Sequence, residues 1–176
     1  MNKTEFSEVQ GFRVWWAWAA IIALNILFLY AIIQQVIIGI PFGSKPASNL
    51  GLILLEFASL TFLYFLFSIR LKTTINDEGI RYRFYPFQTS STTIGWNELT
   101  DAYMRQYNSF YEYGGYGIRV GSEKNSRAIN TSASCTEGLQ LEFKDGKLLL
   151  IGTTRPEEIK EIIERQISSG KLGWGR

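Results

Sequence analysis

Two side chains in this chain invite a chemical reading, the thiol of Cys135 and the carboxylate of Glu56. The sequence contains no histidine, so Cys135 has no imidazole to activate it, and triads built on histidine are excluded along with most zinc sites. A single cysteine also excludes an intramolecular disulfide and suits a reducing compartment. Gly114, Gly115 and Gly117 match neither glycine spacing that cradles phosphate, and no helical pattern follows them. They read as a turn or bulge. Glu157, Glu158, Glu161 and Glu164 interleave with Lys160 and Arg165, the pattern of a solvated helix face. No catalytic residue, cofactor or metal ligand is assigned, and an enzyme is not expected.

Recognition has a better candidate. Tyr103, Tyr107, Phe110, Tyr111, Tyr113 and Tyr116 place six aromatics within 14 residues, flanked by Arg105 and Arg119. Tyrosine joins a large apolar area to a polar tip, so such a run suits a contact surface. The favoured alternative divides it between core and ordinary strand exterior. With 18 basic and 16 acidic residues the net charge is only +2, so nucleic-acid binding through bulk charge is not expected.

Glu56 belongs to a different chemistry, because of where it sits. Lys45 and Glu56 are the only formal charges between Val14 and Ile69. Trp15 to Ile33 is an apolar run broken by Asn25, continuing past Gln34 and Gln35 to Ile40, and Leu50 to Ile69 is a second. Each is long enough to cross a hydrocarbon core of ~30 Å as a helix. Trp15, Trp16 and Trp18 stand where headgroups would lie. The connector Pro41 to Asn49 holds two prolines and a glycine and turns the chain back. The first run exceeds the apolar core of a signal peptide, and no small-residue cleavage site follows. Two spans are therefore expected, at about 14–38 and 50–69, within a transmembrane hairpin 14–70.

Lys3, Arg13, Arg70, Lys72, Arg81 and Arg83 flank the hairpin on one side, and Lys45 stands alone on the other. The bias of lysine and arginine places both termini in the cytoplasm of a multi-pass protein of the inner, or plasma, membrane. Residues 1–13 read as a cytoplasmic segment and 71–176 as a cytosolic domain. In an antiparallel hairpin Asn25 lies level with Thr61 and Glu56 level with Tyr30, with Gln34 a turn away. Such pairs form hydrogen bonds that fix helix rotation. An intramembrane carboxylate is by default a candidate proton or ion site, but packing is the favoured reading of Glu56.

The elements of the cytosolic part follow from period and turn chemistry. Short strands are expected at 71–75, 80–85, 92–96, 101–107, 116–120 and 127–131. Leu139, Leu141 and Phe143 alternate with polar residues before Asp145-Gly146 and Leu148 to Ile151, a hairpin with a type I′ turn. Thr154-Arg-Pro-Glu157 fits a capping box, and Ile159, Ile162, Ile163 and Ile167 give one apolar face of a terminal helix.

Three pieces carry a resemblance to a known family: Asn76-Asp-Glu-Gly-Ile-Arg-Tyr82, Ile94-Gly-Trp-Asn-Glu-Leu99, and Gly138-Leu-Gln-Leu-Glu-Phe-Lys-Asp-Gly146. With the helix entry at Thr153 to Glu157, the order resembles the bacterial pleckstrin-homology-like (PH-like) domains attached to membrane helices. The resemblance implies an α+β protein: a two-helix transmembrane hairpin, then a PH-like antiparallel β-barrel or sandwich with one C-terminal helix. It implies a binding or scaffolding module. Its partners are the lipids around the spans together with a protein partner or a second copy of the chain. The alternatives are a transporter or channel subunit using Glu56 and a lipid-headgroup-binding module. Against the last, the basic residues are scattered along the sequence rather than concentrated in a pocket.

Overall fold

The computed structural model describes residues 4–132 and 135–170; Lys3, counted in the charge asymmetry, lies outside them. The fold is α+β, with four α-helices and sheets of four and five strands among the described residues. The chain divides into two compact units, Val14–Ser68, and Met1–Arg13 together with Ile69–Arg176.

The first unit is the hairpin. Helix α1 (Trp15–Ile32) runs on as a π-helical turn, Ile33–Ile37, and α2 covers Asn49–Ser68. Both are long and apolar enough to cross a membrane. Ser48 caps α2, its hydroxyl accepting the Gly51 amide at 3.1 Å. The connection is closed by Gln35, which donates to the Ala47 carbonyl at 2.6 Å and to Asn49 Oδ1 at 2.9 Å and accepts the Phe42 amide. Leu52, Glu56, Ser59, Leu63 and Leu66 form the less exposed stripe of α2, alternating steps of four and three residues. That is the seam of a helix pair packed at a shallow angle.

The second unit corrects the expected boundaries. Residues 1–13 are not a separate segment, because β1 (Thr4–Gly11) pairs antiparallel with β2 (Arg70–Asn76), from Gly11 opposite Arg70 to Thr4 opposite Asn76. The first sheet continues in chain order through β3 (Gly79–Tyr85) and β4 (Thr92–Gly95). Its inward side chains alternate as a half-buried strand requires: Phe6, Leu71, Ile75, Ile80, Phe84 and Ile94 are buried. Two quoted sequence pieces meet here. Asn76 Oδ1 accepts the amides of Glu78 and Gly79, and the Asn76 carbonyl accepts Trp96 Nε1 at 3.1 Å. Gly79, at φ +154°, is required sterically, since a Cβ there would lie 2.0 Å from the Ile94 carbonyl oxygen.

The second sheet has the order β5-β8-β9-β7-β6, comprising β5 (Leu99–Gln106), β6 (Gly117–Val120), β7 (Ser126–Asn130), β8 (Glu137–Phe143) and β9 (Leu148–Thr153). The sheets are open rather than closed into a barrel, and the second is not purely antiparallel. β9 inserts between β8 and β7; it runs antiparallel to β8 and parallel to β7. The β8–β9 turn also differs from the expected I′ form. The Gly146 amide donates to the Phe143 carbonyl, and only Gly146, at φ +78°, takes positive φ in the turn. A type I turn ending in a glycine bulge does the same work with one left-handed residue.

Among the described residues a short helix accompanies this unit besides the expected terminal one. The five-residue α3 (Ser109–Tyr113) falls inside the aromatic run, where Asn108 Oδ1 accepts the Phe110 and Tyr111 amides and Gly114, at φ +67°, ends it. The terminal helix α4 (Pro156–Ser168) packs on β5, β8 and β1, and so touches both sheets. Its buried face is Ile159, Ile162, Ile163 and Gln166. The capping box is absent: Arg155 is the N-cap residue, and Thr153 Oγ1 accepts its amide at 3.0 Å. Thr154 is engaged elsewhere.

Candidate functional site

Thr154 leads to a dense buried polar network, one the sequence did not announce. Strand β1 aims Glu8 and Gln10 inward, 6% and 6% exposed. Glu8 Oε2 accepts from Gln10 Nε2 at 3.0 Å and from Thr153 Oγ1 at 2.7 Å. Its Oε1 accepts the Thr154 amide at 3.0 Å and the Thr154 hydroxyl. Four donors fill the acceptor positions of a carboxylate. Gln10 is equally committed: Nε2 also donates to the Gly152 carbonyl at 2.8 Å, and Oε1 accepts from Thr131 Oγ1 and Cys135 Sγ, each at 3.2 Å. The network ties β1 of the first sheet to β9 of the second.

Beside it lies a cavity of about 220 Å³, bordered by Glu8, Gln10, Arg13, Ser132, Thr154 and Arg155. Arg155 stacks its guanidinium over the Phe6 ring at 4.9 Å and pairs with Glu158. Burial, and then the Glu8 charge, push the Cys135 thiol up to about 12. A thiol held protonated inside the core is not a nucleophile at neutral pH. Among the described residues no group of histidine, cysteine, aspartate and glutamate is gathered that could hold a metal ion.

The aromatic run divides. Tyr107 and Tyr113 are buried in a core cluster with Ala128, Cys135 and Leu150, their rings edge to face at 6.2 Å. Arg105 is pinned between sheet and helix, donating to Gln140 Oε1 at 2.9 Å, Glu112 Oε2 at 2.7 Å and the Tyr113 hydroxyl at 2.8 Å. Burial opposes its charge, and the hydrogen bond to Glu112, with the charges around it, more than restores it. Tyr103 donates to Glu142 at 3.0 Å, and burial raises its pKa. What faces solvent is Phe110 and Tyr111, 56% and 89% exposed, with Tyr116 edge-on to Phe110 at 5.1 Å. Arg119 Nε closes the patch on the Tyr116 carbonyl. Four of the eight residues therefore remain as a surface, and the other four hold β5, α3 and β8 together.

In the hairpin the expected depth pairs do not hydrogen-bond among the described residues. Tyr30 is exposed and sets its ring against Phe42 at 5.9 Å. Asn25 donates to the Ile21 carbonyl at 2.6 Å and Thr61 to the Phe57 carbonyl at 2.8 Å, each within its own helix. Gln35 rather than Gln34 makes the cross-loop bonds. Asn25 Oδ1, Glu56 Oε2 and Ser59 Oγ are left as buried atoms without a partner among the described residues.

Comparison with known proteins adds no relative: no family model, no curated protein and no solved structure matches the chain.

Proposed function

We propose that this chain is a two-span integral membrane protein that holds a PH-like binding or scaffolding module at the cytoplasmic face. One observation carries the membrane reading. The apolar side chains of both helices face outward, with only 11% and 17% of their most apolar windows buried. Helices hydrophobic all round and uncovered need a lipid solvent, because exposing Ile26, Leu54 and Phe57 to water would cost about 1.5–3 kcal/mol each. The lysine and arginine bias supports a cytoplasmic module, and the order of short strands before a terminal helix supports the PH-like assignment. Alkaline carbonate should leave the protein in the membrane pellet, and a reporter fused after Arg176 should be active only in the cytoplasm. Extraction by carbonate, or a reporter active outside, defeats this reading.

A second reading, a channel or transporter subunit, is favoured by the three unpartnered polar atoms on the hairpin seam. It is tested by Glu56→Gln in reconstituted vesicles. A packing role predicts unchanged abundance and no flux in either form; a pH-dependent flux lost in the mutant establishes transport.

A further inference from the structure

Basic residues that are scattered in sequence converge in space on the outer face of the first sheet. The period of two turns Leu71, Thr73 and Ile75 inward and Arg70, Lys72 and Thr74 outward; on β3 it turns Arg81, Arg83 and Tyr85 outward. Register then sets Arg70 opposite Tyr85, Lys72 opposite Arg83 and Thr74 opposite Arg81. On β1 the matching residues are Gly11, Val9 and Ser7. Four cations thus share one open face with Val9 and Tyr85, 61% and 45% exposed. Asp77 and Glu78 stand in the β2–β3 turn, at the other end of the strands from Arg70 and Tyr85.

Such a face works against its own sheet. Lys72 and Arg83 are directly opposed like charges, a destabilising cross-strand pair. Arg81 has a hydroxyl partner in Thr93 at 3.2 Å, and Arg83 bonds the Gln88 carbonyl at 3.3 Å and lies 5.7 Å from the Tyr85 ring centroid. No carboxylate neutralises either guanidinium among the described residues. The chain supplies the location of a counter-charge. Arg70 follows Ser68, the last residue of α2, by two positions, within ~7 Å of extended chain. Exposed Tyr85 and Phe87 stand at that same end of β3, the residue types that favour a membrane–water interface.

We infer that the outer face of the first sheet, through Arg70, Lys72, Arg81 and Arg83, contacts the anionic lipid headgroups of the membrane that the hairpin enters. The inference rests on the membrane reading above. Recognition is by the summed charge of the sheet face and not by the stereochemistry of one headgroup. Each cation near an anionic leaflet strengthens the contact about five-fold, and salt screens it.

The test uses the full chain in lipid nanodiscs. Cys135 is buried, so a cysteine introduced as Val9→Cys, opposite Lys72, reports on this face through its labelling by a neutral water-soluble maleimide. Ser168→Cys on α4 is the control. With about 30% phosphatidylglycerol, Val9→Cys should label at least about five-fold more slowly than in phosphatidylcholine alone, and about 0.5 M salt should remove the difference. Ser168→Cys should be unaffected. Adding Lys72→Gln and Arg81→Gln should restore labelling to within about two-fold, in a sheet relieved of its like-charge opposition. Equal labelling in both lipids overturns the inference while leaving the membrane reading intact. So does protection that appears only with a polyphosphorylated inositol lipid, or only on adding an acidic protein to phosphatidylcholine discs. A chain that never enters the discs removes both.

Discussion

At the scale of the residue, the least expected feature is a carboxylate used as a staple. Glu8 looks like any surface acid of a charged N-terminal segment, yet it lies inside the protein with all four acceptor positions filled. Glu8→Ala strands donors on Gln10, Thr153 and Thr154 and should lower unfolding stability by about 3 kcal/mol or more, measured by denaturant titration of the detergent-solubilised chain. Glu8→Gln keeps the shape but turns an amide nitrogen toward donors, and should fall between that variant and wild type. Cys135 gives a pH signature. Its folded pKa stands above the unfolded value of 9.0, near 12. The folded state therefore holds the proton more tightly, and the stability this contributes is complete below about pH 9 and lost between pH 9 and 12. A fall of up to about 1.4 kcal/mol per pH unit is expected there, with a smaller slope in Cys135→Ala. Aromatic thiol reagents should not react with Cys135 at neutral pH until the protein is unfolded.

At the scale of the element, β1 makes the domain depend on both sides of the hairpin. A fragment beginning at Ile69 lacks the partner of β2 and loses the Glu8 and Gln10 bonds to β9, so it should be aggregated or molten by circular dichroism and proteolysis. Joining residues 1–11 to 70–176 through a short Asn-Gly turn should restore a folded, soluble unit, because Gly11 and Arg70 are already paired in register. If the bare fragment folds equally well, β1 is dispensable. The same strand shows where sequence reading succeeds and stops. The strands from β2 to β9 were legible from period and turn chemistry together: Ile80, Tyr82 and Phe84 alternate with polar residues, and Asp145-Gly146 marks the apolar run of β9 as the second arm of a hairpin. β1 was not, because its inward positions are Phe6, Glu8 and Gln10, and a network can bury polar groups that periodicity counts as surface. The basic face was legible in part: Arg70, Lys72, Arg81 and Arg83 stand out as a charge bias beside the hairpin, but only register sets them on one face of the sheet. The aromatic run was half legible, since composition cannot say which tyrosines turn inward.

At the scale of the molecule, one domain is written in two pieces with an apolar hairpin between them. Excising Asn49–Ser68 would leave a single span and, on the membrane reading, put β1 and β2 on opposite sides of the bilayer. Residues 69–170 of that variant should be digested by trypsin in opened vesicles, whereas the same segment of the intact chain should resist. Equal resistance would show that β1 is not needed in place. The straddling strand also has a consequence in time. During synthesis β1 leaves the ribosome first, and the 58 residues from Phe12 to Ile69 must follow before its partner exists. At ~5–20 residues per second the strand waits some seconds as an open edge, and on the membrane reading it finds β2 only if the hairpin has returned the chain to the compartment it left. On that reading, completing the sheet is a check on insertion: a chain threaded the wrong way would keep an unpaired strand and leave the Glu8 carboxylate without its partners on β9.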